Sequence, residues 1–235
     1  MPFFPQFSSL FVAPFVPFKL TNGLLAYWKF DTDSWIDSGT NNSDLTGYND
    51  VSTGTGIISD CVLIESDQFL DNSLTNFNVG TGDISIYLWI NPASYGSGGY
   101  NDFAGSIIDF RNDGGGKEWL LIFNNVGKLR IWQLPTSYES AASIPLDEWT
   151  NIIISRSGGT TSVYINGSLD GSFEDNKNFQ SQKFTIGGPV NNPNTSSFLH
   201  YDGKLDEMGI WGRALAQSEI TELYNNGDGL TYPFN

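Results

Sequence analysis

Residues 201–227, YDGKLDEMGIWGRALAQSEITELYNNG, contain a strand that runs straight into a helix. Over 204–211 the apolar residues are Leu205, Met208, Ile210 and Trp211, and the slip of phase between Leu205 and Met208 predicts a strand carrying a bulge. Across 215–225 the period changes. Leu215, Ile220, Leu223 and Tyr224 fall near one face at helical spacing, Gln217, Glu219 and Glu222 point elsewhere, and Gly227 offers a C-terminal stop. A helix with one apolar stripe must lay that stripe on an apolar surface, so it is expected to rest on a sheet.

Working outward, most of the chain reads as short strands. Residues 24–30 alternate, and in 83–91 Ile84, Ile86, Leu88 and Ile90 share one face while Ser85, Tyr87 and Trp89 share the other, with Pro92 ending the run. Further strands are predicted at 61–65, 104–110, 118–123, 128–133, 149–155, 160–165, 168–173 and 183–187. Polar or Gly-rich loops occupy 31–50, 93–102 and 190–197, and Asn166-Gly167 is the strongest hairpin signal because both residues accept positive φ. Turns every eight to twelve residues specify an all-β antiparallel sandwich with one short C-terminal helix. Trp28, Ile84, Ile86, Leu88, Ile152, Ile154, Val163, Ile165 and Ile210 are its expected core.

Three stretches carry a family resemblance. Gly203 to Glu207 with Arg213 to Tyr224 fit the pattern G-x-[LI]-D-[ED]-hydrophobic followed by R-A-L-x-x-x-E-I-x-x-L-Y; Gly23 to Asp31 fit an opening strand; Glu148 to Gly167 fit a central hairpin ending in YING. In that order the chain resembles laminin-G-like, concanavalin A-like lectin and glucanase jelly-roll domains. The resemblance covers roughly residues 20–230 and implies adjacent first and last strands. It fixes no activity, since one fold hosts many.

Composition narrows the partners. With 26 acidic and 11 basic residues the net charge is −15, which argues against nucleic acid and anionic lipid. The single cysteine, Cys61, sits in an apolar run and reads as a buried, inert thiol. No apolar run reaches the roughly 18 residues of a membrane span. Two regions are expected: an arm, 1–19, and a sandwich domain, 20–235. The arm holds Phe3, Phe4, Phe7, Phe11, Phe15 and Phe18 between prolines and lacks the basic start of a signal peptide. It either packs on its own sandwich or docks into another subunit. Six exposed phenylalanines would be an aggregation hazard, which favours docking into a larger assembly, most readily a virion or phage surface. The alternative is an extracellular, calcium-dependent carbohydrate-binding module.

Catalysis finds little support. His200 is the only histidine and no G-x-S-x-G elbow accompanies it. The glucanase pattern E-x-D-x-x-E is absent, and Asp206 and Glu207, being adjacent, are expected to face opposite ways on a strand. Calcium is the expected ion. The loop DTDSWIDSGTNNSD offers Asp31, Asp33, Asp37 and Asn41 plus carbonyls, and the resemblance implies a site at Asp37 with Asp206 from the last strand; the competing reading is that these carboxylates cap turns. For a glycan, Tyr95, Tyr100, Trp119, Trp132 and Tyr138 fall in loops or at alternate strand positions, although core packing explains each equally well.

Overall fold

Period-two alternation builds nearly every element. The computed structural model describes residues 19–65, 67–72, 79–96, 103–111, 119–132, 137–179, 184–189 and 199–234. In chain order the strands are β1 (Leu24–Trp28), β2 (Thr46–Tyr48), β3 (Ser52–Thr55), β4 (Asp60–Ile64), β5 (Phe69–Asn72), β6 (Ile84–Ser94), β7 (Phe103–Asp109), β8 (Leu120–Asn124), β9 (Lys128–Trp132), β10 (Ser137–Ser143), β11 (Thr150–Ser157), β12 (Thr160–Ile165), β13 (Ser168–Glu174), β14 (Phe184–Ile186) and β15 (Asp202–Trp211), followed by the helix α1 (Gln217–Tyr224). They form two antiparallel sheets. One has eight strands in the order β13-β12-β11-β6-β15-β4-β3, with β1 also on β15; the other has seven in the order β10-β9-β8-β7-β14-β5-β2.

The core lies between the sheets. Ile84, Ile86, Leu88 and Ile90 of β6, Ile152 and Ile154 of β11, and Leu205, Met208 and Ile210 of β15 meet Leu121, Phe123, Leu129, Ile131, Phe184 and Ile186 of the other sheet. Each such side chain contributes roughly 1.5–3 kcal/mol on leaving water. A second apolar layer covers the outer face of the eight-stranded sheet, where Tyr27, Tyr87, Trp89, Ile153 and Trp211 lie under Leu215, Ile220 and Leu223, with Leu230, Tyr232 and Phe234 of the C-terminal tail packed against them. The stripe of α1 thus rests on a sheet, as its spacing predicts. This layer also explains why Tyr87 and Trp89 are fully buried although they point away from the main core.

Several boundaries differ from expectation for identifiable reasons. Pro92 does not end β6; opposite it Gly203 adopts φ 147, and the register shifts there. The strand runs on to Ser94, which pairs with Asp202 of β15, and the Pro92 carbonyl accepts the Asp147 N–H at 2.9 Å. The helix is stopped by Asn225 in the left-handed region (φ 47) rather than by Gly227, asparagine being one of the few residues that tolerates it. Strands β2, β3, β5 and β10 were not expected, being short or too polar to show alternation. Ile165 is half-buried and packs at the core's edge. Among the described residues packing begins at Leu20, whose carbonyl accepts the Trp211 indole N–H at 2.6 Å. Phe3, Phe4, Phe7, Phe11, Phe15 and Phe18 lie outside the described residues.

Candidate functional site

The seven-stranded sheet has a second face on the side away from the core, and the pairing registers set out which residues lie on it. Asp71 of β5 pairs with Thr185 of β14, Thr185 with Asp109 of β7, Asp109 with Leu120 of β8, and Leu120 with Trp132 of β9. Leu70, Ile186, Ile108, Leu121 and Ile131 alternate with these residues into the core, so the row faces away from it. At about 4.8 Å per strand the row from Asp71 to Trp132 spans roughly 19 Å.

Aromatic pairs close both ends. Phe103 and Trp132 meet edge to face at 5.6 Å, and Tyr48 and Phe69 stack at 4.6 Å. Between them the groups are polar. Asp109 is fully buried and holds Arg111 by three contacts, from its backbone N–H at 2.9 Å, from Nε at 2.9 Å and from the terminal guanidinium at 2.7 Å. That grip lays the guanidinium over the Trp132 ring, 5.7 Å from its centroid. Thr185 donates its hydroxyl hydrogen to the Gly188 carbonyl at 2.5 Å, leaving oxygen lone pairs as its remaining capacity. Beside the row, Glu139 accepts Arg130 at 2.7 Å and pairs with Lys128 at 3.5 Å, and the Arg130 hydrogen bond pulls its carboxyl below the usual range. Thr185, Asp109, Leu120 and Ile122 are all fully buried, so the partly exposed groups along and beside the row include Tyr48, Asp71, Phe103, Arg111, Arg130 and Trp132.

Of the aromatic residues named from sequence, Trp132 alone sits on this face among the described residues. Trp119 is a core residue, 1% exposed, whose indole donates to Asp175 at 3.0 Å. Tyr138 points inward and its hydroxyl donates to Asp170; the Tyr95 hydroxyl donates to the Ile144 carbonyl, and its ring packs on Phe123 and closes on Gly127. Trp119 and Tyr138 are corrections: aromatics one residue out of phase with their neighbours point inward, and the phase was misjudged, whereas Tyr95 is half-buried at the core's edge. Tyr100 lies outside the described residues. The sequence reading missed Asp109 and Arg111, although two charged residues at i and i+2 around a strand end share a face.

Of the residues named for calcium, Asp37, Asn41 and Asp206 are engaged with backbone groups. Asp37 uses one oxygen on the N–H groups of Tyr27 and Gly39 (2.9 and 2.7 Å) and the other on Ser43 (3.0 Å). Asp206 accepts from Ile57 and Ile58 (2.9 and 3.1 Å) and from the Glu207 N–H (2.9 Å). Asn41 donates to the Leu25 carbonyl at 2.6 Å, and only Asp31 keeps a buried oxygen without a partner. Among the described residues no three His, Cys, Asp or Glu side chains group as a metal site. The carboxylates of Asp37 and Asp206 cap backbone, the competing reading of the sequence.

Asp206 and Glu207 also face the same way, contrary to expectation. Glu207 takes φ 50, so two residues separate the inward Leu205 and Met208, and both carboxyls point outward beneath the C-terminal tail. Glu207 accepts the Tyr27 hydroxyl at 2.5 Å. Burial, reinforced by the neighbouring Glu207 charge, pushes Asp206 up to about 8, and burial pushes Glu207 up to about 7. Both are fully buried, so no substrate reaches them.

Residues 68–221 match the model of a laminin G family described as the concanavalin A-like lectin/glucanases superfamily, and the chain belongs to that family. No curated protein matches it. Among solved structures it is similar to domain 4 of AbnA, an extracellular arabinanase from Geobacillus stearothermophilus, in complex with arabinotriose (19% identity, 85% of this chain and 97% of that one, TM-score 0.65). It is also similar to the binding domain of Paraclostridial Mosquitocidal Protein 1 (18% identity, 88% and 53%, TM-score 0.68). A third is the ligand binding domain of botulinum neurotoxin serotype D in complex with N-acetylneuraminic acid (16% identity, 87% and 51%, TM-score 0.67). This chain spans about half the length of those toxin domains. At such identities the likeness shows the shared jelly-roll fold.

Proposed function

We propose that this chain is a non-catalytic carbohydrate-binding module and that the outer face of the seven-stranded sheet receives the sugar. The observation that carries the reading is the set of partly exposed groups at the two ends of the row, Tyr48 and Asp71 at one and Phe103, Arg111 and Trp132 at the other, with the buried Thr185, Asp109 and Leu120 between them. Aromatic faces stack on the C–H faces of sugar rings while carboxylate, hydroxyl and guanidinium groups take up the hydroxyls. Two neighbours of the same fold, the arabinanase domain and the serotype D domain, were solved with arabinotriose and N-acetylneuraminic acid, which supports the reading by analogy. The sealed position of Asp206 and Glu207 supports a binding rather than a hydrolytic role.

The finer proposal is that the module is displayed on a larger particle, such as a virion, through the phenylalanine-rich residues 1–19. Its support is sequence alone. The site is tested by an oligosaccharide panel read with the wild-type protein and with Trp132→Ala. A half-buried ring on the outer face is not a core element, so the variant should fold and lose about tenfold or more in affinity, near 1.4 kcal/mol. Unchanged binding in the folded variant would move the site elsewhere.

A further inference from the structure

A buried indole N–H ordinarily finds an acceptor. Trp28 donates to the Ser43 carbonyl at 2.9 Å, Trp89 to the Tyr87 hydroxyl at 2.8 Å, Trp119 to Asp175 at 3.0 Å and Trp211 to the Leu20 carbonyl at 2.6 Å. Trp35 is the exception. Its side chain is 5% exposed and packs near Phe30, yet among the described residues its N–H donates to no protein group. Its Nε1 is not among the unpartnered atoms sealed from solvent, and Trp35 lines a groove of about 410 Å³ with Asp33, Thr46, Gly47 and Asp50. We propose that this groove is a second ligand site, separate from the sheet face, and that it holds a neutral sugar ring.

Local structure opens the groove. β2 is the last strand of its sheet, and the Leu45 N–H donates to the Trp35 carbonyl at 3.0 Å, which ties the loop after β1 to that edge. A Cβ at Gly47 would stand 2.9 Å from Nε1, so glycine leaves the N–H clear. The carboxylates of Asp33 and Asp50 are exposed, and among the described residues they accept no hydrogen bond. An indole can only donate and a carboxylate can only accept, whereas a hydroxyl does both. A ring with neighbouring hydroxyls can therefore accept from Trp35 and donate to Asp33 or Asp50 at once. An anion would meet two like charges, and a bare cation would bring the N–H no acceptor.

The test is an NMR titration of the full chain that follows the Trp35 indole N–H resonance, with glucose, galactose, mannose, arabinose and, separately, calcium chloride as probes. At least one of the sugars should move that resonance saturably, and calcium should leave it in place. Asp33→Ala alters an exposed side chain, and Asp50→Asn keeps a residue that tolerates φ 60, so both variants should fold. Each should weaken the sugar about fivefold or more, the loss of a hydrogen bond to a charged group. Gly47→Ala should weaken it too, by crowding Nε1. A resonance that no sugar moves, that calcium moves, or that responds to sugar equally in both carboxylate variants would overturn the proposal. The sheet-face reading is tested at Trp132 instead, so either site can fail while the other stands.

Discussion

Asp206 and Glu207 show how much one backbone angle decides. Because Glu207 sits at φ 50, both carboxyls lie on the outer face, where Tyr27, Ile57, Ile58 and the tail enclose them. Their pKa values of about 8 and about 7 have burial as the first cause, against unfolded values near 4. The folded state therefore binds their protons more tightly than the unfolded chain does. Stability from this pair is fully present below about pH 4 and is lost as pH rises toward 8. Carboxyls held low by cations, such as Glu139, act in the opposite sense but only at lower pH. The melting temperature should consequently fall between pH 5 and pH 9, with a shallower slope in Glu207→Gln. A melting temperature that rises over that interval would contradict the assignment of buried, raised carboxyls.

At the scale of elements, α1 begins without an N-cap side chain. Ala216 occupies the cap, and Glu219 supplies half of a capping box by accepting the Ala216 N–H at 2.9 Å while Arg213 grips both its oxygens (2.7 and 2.5 Å). Glu219→Ala should cost about 1–2 kcal/mol, read as a lower denaturant midpoint with an unchanged m-value. A loss under about 0.3 kcal/mol would mean that helix packing alone holds the start. The helix, the bulge after Leu205 and the long strands β6, β11 and β15 were legible because their apolar residues repeat at the period of their structure over many positions. β2 and β3 were not, since TGY and STGT have no apolar alternation to read and exist through pairing with β5 and β4. The candidate face was legible only at Trp132. The rest of it depends on register between strands far apart in sequence, and on whether a given aromatic points in or out. A one-residue error of phase reverses that direction, as Trp119 and Tyr138 did.

On the scale of the molecule, two sheets enclose one core, and a second apolar layer under α1 and the tail seals the outer face of the eight-stranded sheet. On the other outer face Thr185, Asp109, Leu120 and Ile122 are buried, and exposed groups lie toward its ends. Residues 19–234 hold both layers among the described residues, and Leu20 is the first to pack. Deleting residues 2–18 should therefore leave the sandwich folded, with a melting temperature within a few degrees of the full chain, and should abolish incorporation into its native assembly. An unfolded truncation would make the arm part of the core, and normal assembly of the truncation would end the docking proposal. The central claim concerns the outer face of the seven-stranded sheet, and the measurement that tests it most directly is a crystal structure of the protein with a bound oligosaccharide. The account predicts sugar density along the row from Asp71 to Trp132, with a ring against Trp132 or Phe103. Density elsewhere, on the loop rim or over the eight-stranded sheet, with the row left bare, would contradict it.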